Sequence, residues 1–134
     1  MGTWGKEPFA DDDALDFVDA LEEDPTWVSV RLELEQAANS KGYLEAPDGS
    51  QAVASAALVA SCLGRRNFLP DNYKDLTSKL GPLPADMVKL AIVALGRVRG
   101  PESELAELWQ EANDGYAGWL QTLDDIQAVL EEKV

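Results

Sequence analysis

The sequence predicts an all-α fold, a single compact domain of about six helices, and three observations carry that prediction. Apolar residues recur at steps of three and four through most of the chain, the spacing that lays one stripe along a 3.6-residue helix. Glycine, proline and aspartate cluster between those runs, where they stop one helix and cap the next. The one run that alternates with period two, Trp27 to Glu35, has no partner run to pair with, and a lone strand would leave its backbone groups unsatisfied. With 134 residues, 46% hydrophobic and 27% charged, the chain has the length and composition of an ordinary one-core protein.

Residues 1–10 are expected to form an N-terminal arm and residues 11–134 a helical bundle. The arm holds Trp4 and Phe9 among glycine and proline, without periodicity. Such a loop is fixed when its rings insert into the helices beside it. One of Asp11, Asp12 and Asp13 then caps the first helix and complements the positive end of its dipole. Leu15, Val18 and Leu21, with Ala14 and Phe17 beside them, make its apolar stripe, while Asp16, Asp19, Glu22 and Glu23 face water. Asp24-Pro25 ends it, and Pro25 suits the first position of the next helix, where its missing N–H is no loss.

In that second segment Val28, Val30, Leu32 and Leu34 alternate with Ser29, Arg31, Glu33 and Glu35. Continuation into Gln36-Ala37-Ala38 without a turn signal favours a helix of about 14 residues. Asn39 to Gly42 breaks the pattern, and Asp48-Gly49-Ser50 is read as a second break. The alanine-rich run from Gln51 to Leu63 predicts the most apolar helix, central and packed on several sides. Gly64 is its expected stop, with Arg65-Arg66 at its negative end. A shorter helix follows from Leu69-Pro70-Asp71 to about Leu80, then the connector Gly81-Pro82-Leu83-Pro84, then an amphipathic helix from Asp86 to Val98. Leu105, Leu108, Trp109, Ala112, Tyr116, Trp119, Leu120, Leu123, Ile126 and Leu130 close the chain as one long helix, or as two joined at Asn113-Asp114-Gly115, since glycine costs about 1 kcal/mol inside a helix.

Charge is the unusual quantity. Eleven basic against 25 acidic residues give −14, which repels phosphate backbones and anionic membrane surfaces and favours a basic protein as partner. Residues 11–24 carry eight acids and no base, whereas residues 65–100 carry seven bases and three acids. Part of the middle is therefore expected to meet the acidic ends within the fold. Cys62 is the single cysteine; it can form no internal disulfide, which fits a reducing cytoplasm. No apolar run has the length of a membrane span, and Lys6 stands where an N-myristoylation motif wants Ser or Thr.

The absence of histidine removes the common neutral-pH base, histidine-dependent zinc sites and Ser-His-Asp or Cys-His catalysis. There is no glycine-rich phosphate loop. The residues thus point to no cofactor and to no enzyme. What remains is carboxylates and aromatics. Asp11, Asp12, Asp13 and Asp16 offer oxygen ligands for calcium or magnesium, although the spacing of an EF-hand is not met. Trp4 and Phe9 beside Asp12, Asp13, Asp16 and Asp19 offer instead the aromatic and acidic chemistry of a hot spot for a basic partner.

Met1-Gly2-Thr3-Trp4-Gly5, then Phe9, then Asp12-Asp13-Ala14-Leu15-Asp16-Phe17 resemble the opening of a family of small bacterial proteins classified only as a domain of unknown function, whose members begin M-G-x-W-G-x-G-x-F-D-N-D-D-A-x-D-(W/F). Tyr43-Leu44-Glu45, the alanine-rich helix and the tryptophan-containing acidic C-terminal segment extend the resemblance over most of the chain. The chain departs from the pattern at Glu7, Ala10 and Asp11. The resemblance implies a helical, cytoplasmic bacterial protein without assigned activity. The leading expectation is a non-catalytic interaction domain that binds a basic protein, in the manner of helical immunity proteins. A carboxylate cation-binding protein and a small-ligand-binding helical domain are the alternatives.

Overall fold

In the computed structural model, residues 12–64, 66–112 and 115–133 are described. Among them the chain forms seven α-helices and no strand: α1 (Asp12–Glu23), α2 (Trp27–Ala38), α3 (Ala46–Ser61), α4 (Leu76–Leu80), α5 (Met87–Arg99), α6 (Glu104–Ala112) and α7 (Tyr116–Glu131), with a 3-10 turn over Asp71–Tyr73. The all-α expectation holds. The arm of residues 1–10, with Asp11, lies outside the described residues.

α3 is the axis of the fold. Every residue from Ala52 to Ser61 is buried, and α1, α2, α5, α6 and α7 all pack against this helix. Its small side chains are the reason, because alanine and serine let neighbouring backbones approach on every side. The helix begins earlier than the expected break at Asp48-Gly49-Ser50, which instead lies inside it. Gly49 is there for proximity: a methyl on it would stand 3.3 Å from Leu105 Cβ of α6. The start of α3 is capped from a distance. Glu104 Oε1 accepts from Ala46 N at 2.8 Å, while Leu44 N donates to Glu102 O and Glu104 N to Leu44 O, each at 2.8 Å. The Arg97 guanidinium donates to Gly42 O, to Pro101 O at 3.1 Å and to Glu102 O at 3.3 Å, tying the same two loops together.

Other elements refine the sequence reading. Pro25 is not the first residue of α2, because Thr26 takes the cap and its hydroxyl accepts from Val28 N at 3.1 Å. α2 buries Val30, Leu34 and Ala37, a helical spacing that resolves the alternation. The helix expected from Leu69 to Leu80 divides in two. Its apolar anchors Leu76 and Leu80 belong to the second piece, while the first is held by the Tyr73 hydroxyl on Asp19. At the C-terminal end the two-helix alternative is the correct one. Trp109 stacks on Trp119 with centroids 6.1 Å apart, and a methyl on Gly115 would meet the Trp109 ring at 2.4 Å. Only glycine lets α7 start so close to that ring.

The basic middle does meet the acidic ends. Lys79 Nζ lies 2.7 Å from Glu22 Oε1 on α1, and on α7 Arg99 reaches Asp124 at 2.7 Å and Arg66 reaches Asp125 at 3.4 Å. Arg66 also lies over the Phe68 ring, 4.7 Å from its centroid.

Candidate functional site

α1 supplies most of the site, and its sequence dictates which side does so. Ala14, Val18 and Leu21 are buried against α3, so the residues between them face outward in two sets. One set points to the middle of the chain and is used up there: Asp19 accepts the Tyr73 hydroxyl and Glu22 pairs with Lys79. The other set points to α2. Phe17, Ala20 and Asp24 follow one another at helical steps along that side, with the buried Leu21 beside them.

α2 faces them with Ser29, Leu32 and Glu33. α1 and α2 each rest on α3 but scarcely touch each other, so a groove of about 350 Å³ is left between them, lined by Phe17, Ala20, Leu21, Asp24, Ser29, Leu32 and Glu33. Among the described residues that line it, Phe17, Ala20, Leu21 and Leu32 are apolar and the charged ones, Asp24 and Glu33, are carboxylates. Leu32 is 61% exposed, and Val28, one turn earlier on α2, is 70% exposed. These two side chains contribute little to the core, which marks their positions as surface chemistry.

Glu33 is partly buried on α2. Burial pushes its carboxyl above the ordinary range, and the nearby negative charge of Asp48 pushes it further in the same direction. With its amide nitrogen turned toward it, Gln51 donates to Glu33 Oε1 at 2.8 Å and Oε2 at 3.1 Å. This is a neutral donor, and the neighbouring cation on α2, Arg31, is engaged by Asp86 at 2.7 Å.

The expected partner-binding residues are placed as follows. Asp12, Asp16 and Asp19 are exposed on α1 and Asp13 is partly buried; Asp12 and Asp16 have no hydrogen bond or ion pair to a described residue, and Asp19 is bound to Tyr73. Trp4, Phe9 and Asp11 lie outside the described residues. For the cation alternative, no group of three His, Cys, Asp or Glu side chains among the described residues is arranged to hold a metal ion. The sequence reading passed over Phe17, Ala20, Asp24, Leu32 and Glu33 as a group. The signal was present in the Val28/Val30/Leu32/Leu34 alternation, because a helix buries only one side and the apolar residues left over must be exposed.

A second cavity, lined by Ser61, Cys62, Thr77, Ser78 and the loop Gly81 to Leu83, carries no comparable chemistry. Burial pushes the Cys62 thiol up to about 11, so at neutral pH it is a thiol and a poor nucleophile. Among the described residues no helix is long and apolar enough to cross a membrane.

A family model described as Domain of unknown function (DUF4259) matches residues 2–122. No curated protein and no solved structure matches the chain.

Proposed function

The chain belongs to the DUF4259 family, and we propose that it acts without catalysis, as an acidic protein-interaction domain that binds a basic protein on the α1–α2 face. The observation that carries this reading is the groove between the two helices, whose described lining is apolar along its walls and carries carboxylates as its only charged groups. Within α1 there are six acids and no base. Intramolecular contacts engage Asp19 and Glu22, whereas Asp12, Asp16 and Glu23 have no ion pair to a described residue and project a negative field. That field, added to a net charge of −14, steers a basic partner, and the apolar wall supplies the burial that holds it. The same arrangement suits an immunity-type role, in which an acidic helical protein occludes a basic nuclease. Lack of histidine and the raised Cys62 thiol support a non-catalytic role, and the single cysteine supports a cytoplasmic setting.

The test is the association rate with a candidate basic protein, followed by stopped flow at low and high salt. We expect the rate to fall by about tenfold or more as the Debye length shrinks from about 30 Å to 8 Å, and Asp12→Asn with Asp16→Asn to lower the low-salt rate. A rate indifferent to ionic strength would falsify electrostatic steering.

A further inference from the structure

We propose that the groove between α1 and α2 receives about two turns of an amphipathic, basic helix of the partner, its apolar side against Phe17, Ala20 and Leu32 and one lysine or arginine paired to Glu33. This rests on the basic-partner reading above and adds the form of the segment recognised.

Geometry selects a helix. Counted from position 17, the lining positions 20 and 21 of α1 and 24 just past its end lie three, four and seven residues on, and positions 29, 32 and 33 of α2 repeat the first two steps. Each wall is thus a single helix face, and two such ridges with a gap between them accept a third helix by ridge-into-groove packing. From Phe17 to Asp24 the wall runs about 10 Å at 1.5 Å per residue, which is about two turns. An extended peptide has nothing to pair with here. It would need a sheet edge with open backbone groups, and both walls are helices whose N–H and C=O groups are bonded within the helix.

Charge selects the sign. Asp24 stands on one wall and Glu33 on the other, and Asp13 and Asp16 continue the same side of α1 by helical spacing. Glu33 is the anchor because it is already partly removed from water, with Gln51 as a neutral donor and Asp48 as a like charge. A cation entering the groove would relieve both, and a pair formed at the edge of an apolar wall is screened less than one in open solvent.

The experiment is an amide-resolved NMR titration of the full chain with two synthetic probes. One is a helix-forming peptide with leucines at i, i+3, i+4 and i+7 and lysines elsewhere; the other is a lysine-only peptide of equal charge. The expected result is saturable shifts at Ala20, Ser29, Leu32 and Glu33 with the leucine-containing peptide, binding at least about tenfold tighter than the lysine-only peptide. Leu32→Asp, at an exposed position and checked for an unchanged circular dichroism spectrum, abolishes that preference, and Glu33→Gln weakens the leucine peptide about tenfold or less. Equal affinity of the two peptides, with shifts confined to Asp12, Asp16 and Glu23, overturns the helix-in-groove inference and leaves the basic-partner reading standing. No shift with either peptide at low salt overturns both. Cross-relaxation from Trp4 or Phe9 to Leu32, or sedimentation as a dimer that Leu32→Asp dissolves, gives the groove to another occupant and overturns the inference.

Discussion

Gly115→Ala probes the junction that sets α7 against α6. The backbone there, φ −97° and ψ −10°, is one that alanine adopts freely, so any cost is steric. The new methyl would lie 2.4 Å from Trp109 Cζ3 and 3.0 Å from Cε3, about 1 Å inside the ordinary carbon–carbon separation of roughly 3.5 Å. Trp109 is 5% exposed and stacked on Trp119 with the planes 12° apart, so the ring can yield only by giving up that stack. Overpacking costs about 1–3 kcal/mol, and the aromatic pair is worth about 0.5–1.5 kcal/mol. Reduced freedom of the unfolded chain offsets about 0.4–1 kcal/mol. The net is a loss of about 2 kcal/mol, which for a chain of this size lowers Tm by roughly 7 °C. Thermal unfolding followed by near-ultraviolet circular dichroism reads both the midpoint and the tryptophan stack. Gly96→Ala is the control, because Gly96 is exposed inside α5 with nothing within 4 Å of the added carbon; it should stabilise by about 0.5–1 kcal/mol. A Gly115→Ala protein as stable as the parent, with its near-ultraviolet signal intact, would refute the assigned position of Trp109.

Three further outcomes are expected. Ser55 sits at the centre of α3 with a buried hydroxyl that has no hydrogen-bond partner, so Ser55→Ala should raise stability to urea by about 1 kcal/mol; a destabilised variant would mean that the hydroxyl is bonded. Glu33 is raised by burial and by Asp48 above its ordinary 4.5, so its protonated form favours the fold. Its favourable contribution is complete below 4.5 and lost as pH rises through the raised value. Glu33→Gln should therefore be more stable than the parent at neutral pH, with a margin that vanishes in acid, and urea midpoints across that range decide it. The Cys62 thiol, at about 11 and half-buried, should react with Ellman's reagent about a hundredfold more slowly than a free thiol at mildly alkaline pH. Unfolding in urea should restore the ordinary rate, and fast labelling of the folded chain would contradict the burial.

Most of the fold was legible because most of it is local. Periodicity located α1, α2, α5, α6 and α7, since each has one apolar side to bury. The misreadings fall where a long-range contact overrides a local signal. Asp48-Gly49-Ser50 reads as a turn, yet Gly49 is helical because Leu105 needs the space, and the cap of α3 comes from Glu104, 58 residues away from Ala46. No propensity scale can see such a cap. The acidic half of the candidate site was legible in the same way, as a run of carboxylates without bases. Its apolar half was hidden, because whether Leu32 faces a neighbour or an open gap depends on how far α1 and α2 stand apart, and that distance is set by α3.

Sorting the carboxylates by what they touch separates those engaged within the fold from the rest. In this chain many of the bases serve the fold: Arg31, Lys79 and Arg99 pair with acids at 2.7 Å, Arg66 reaches Asp125, and Arg97 holds backbone carbonyls of two loops. Exposed pairs of this kind add little stability each, about 0–1 kcal/mol, but they fix which acids are neutralised. Glu104 and Glu107 of α6 are also engaged, by Ala46 N and the Tyr43 hydroxyl. Asp12, Asp16, Glu23 and Asp24, on α1 or just after it, have no ion pair to a described residue, and Glu35, Glu45, Asp71, Asp75 and Glu102 carry further acidic charge elsewhere on the chain. Of the exposed large apolar side chains Val28, Leu32, Tyr43 and Val93, Leu32 lines the groove together with Asp24 and Glu33. The proposed binding surface rests on that juxtaposition, in which apolar area would provide the affinity and the bordering charge would select the partner.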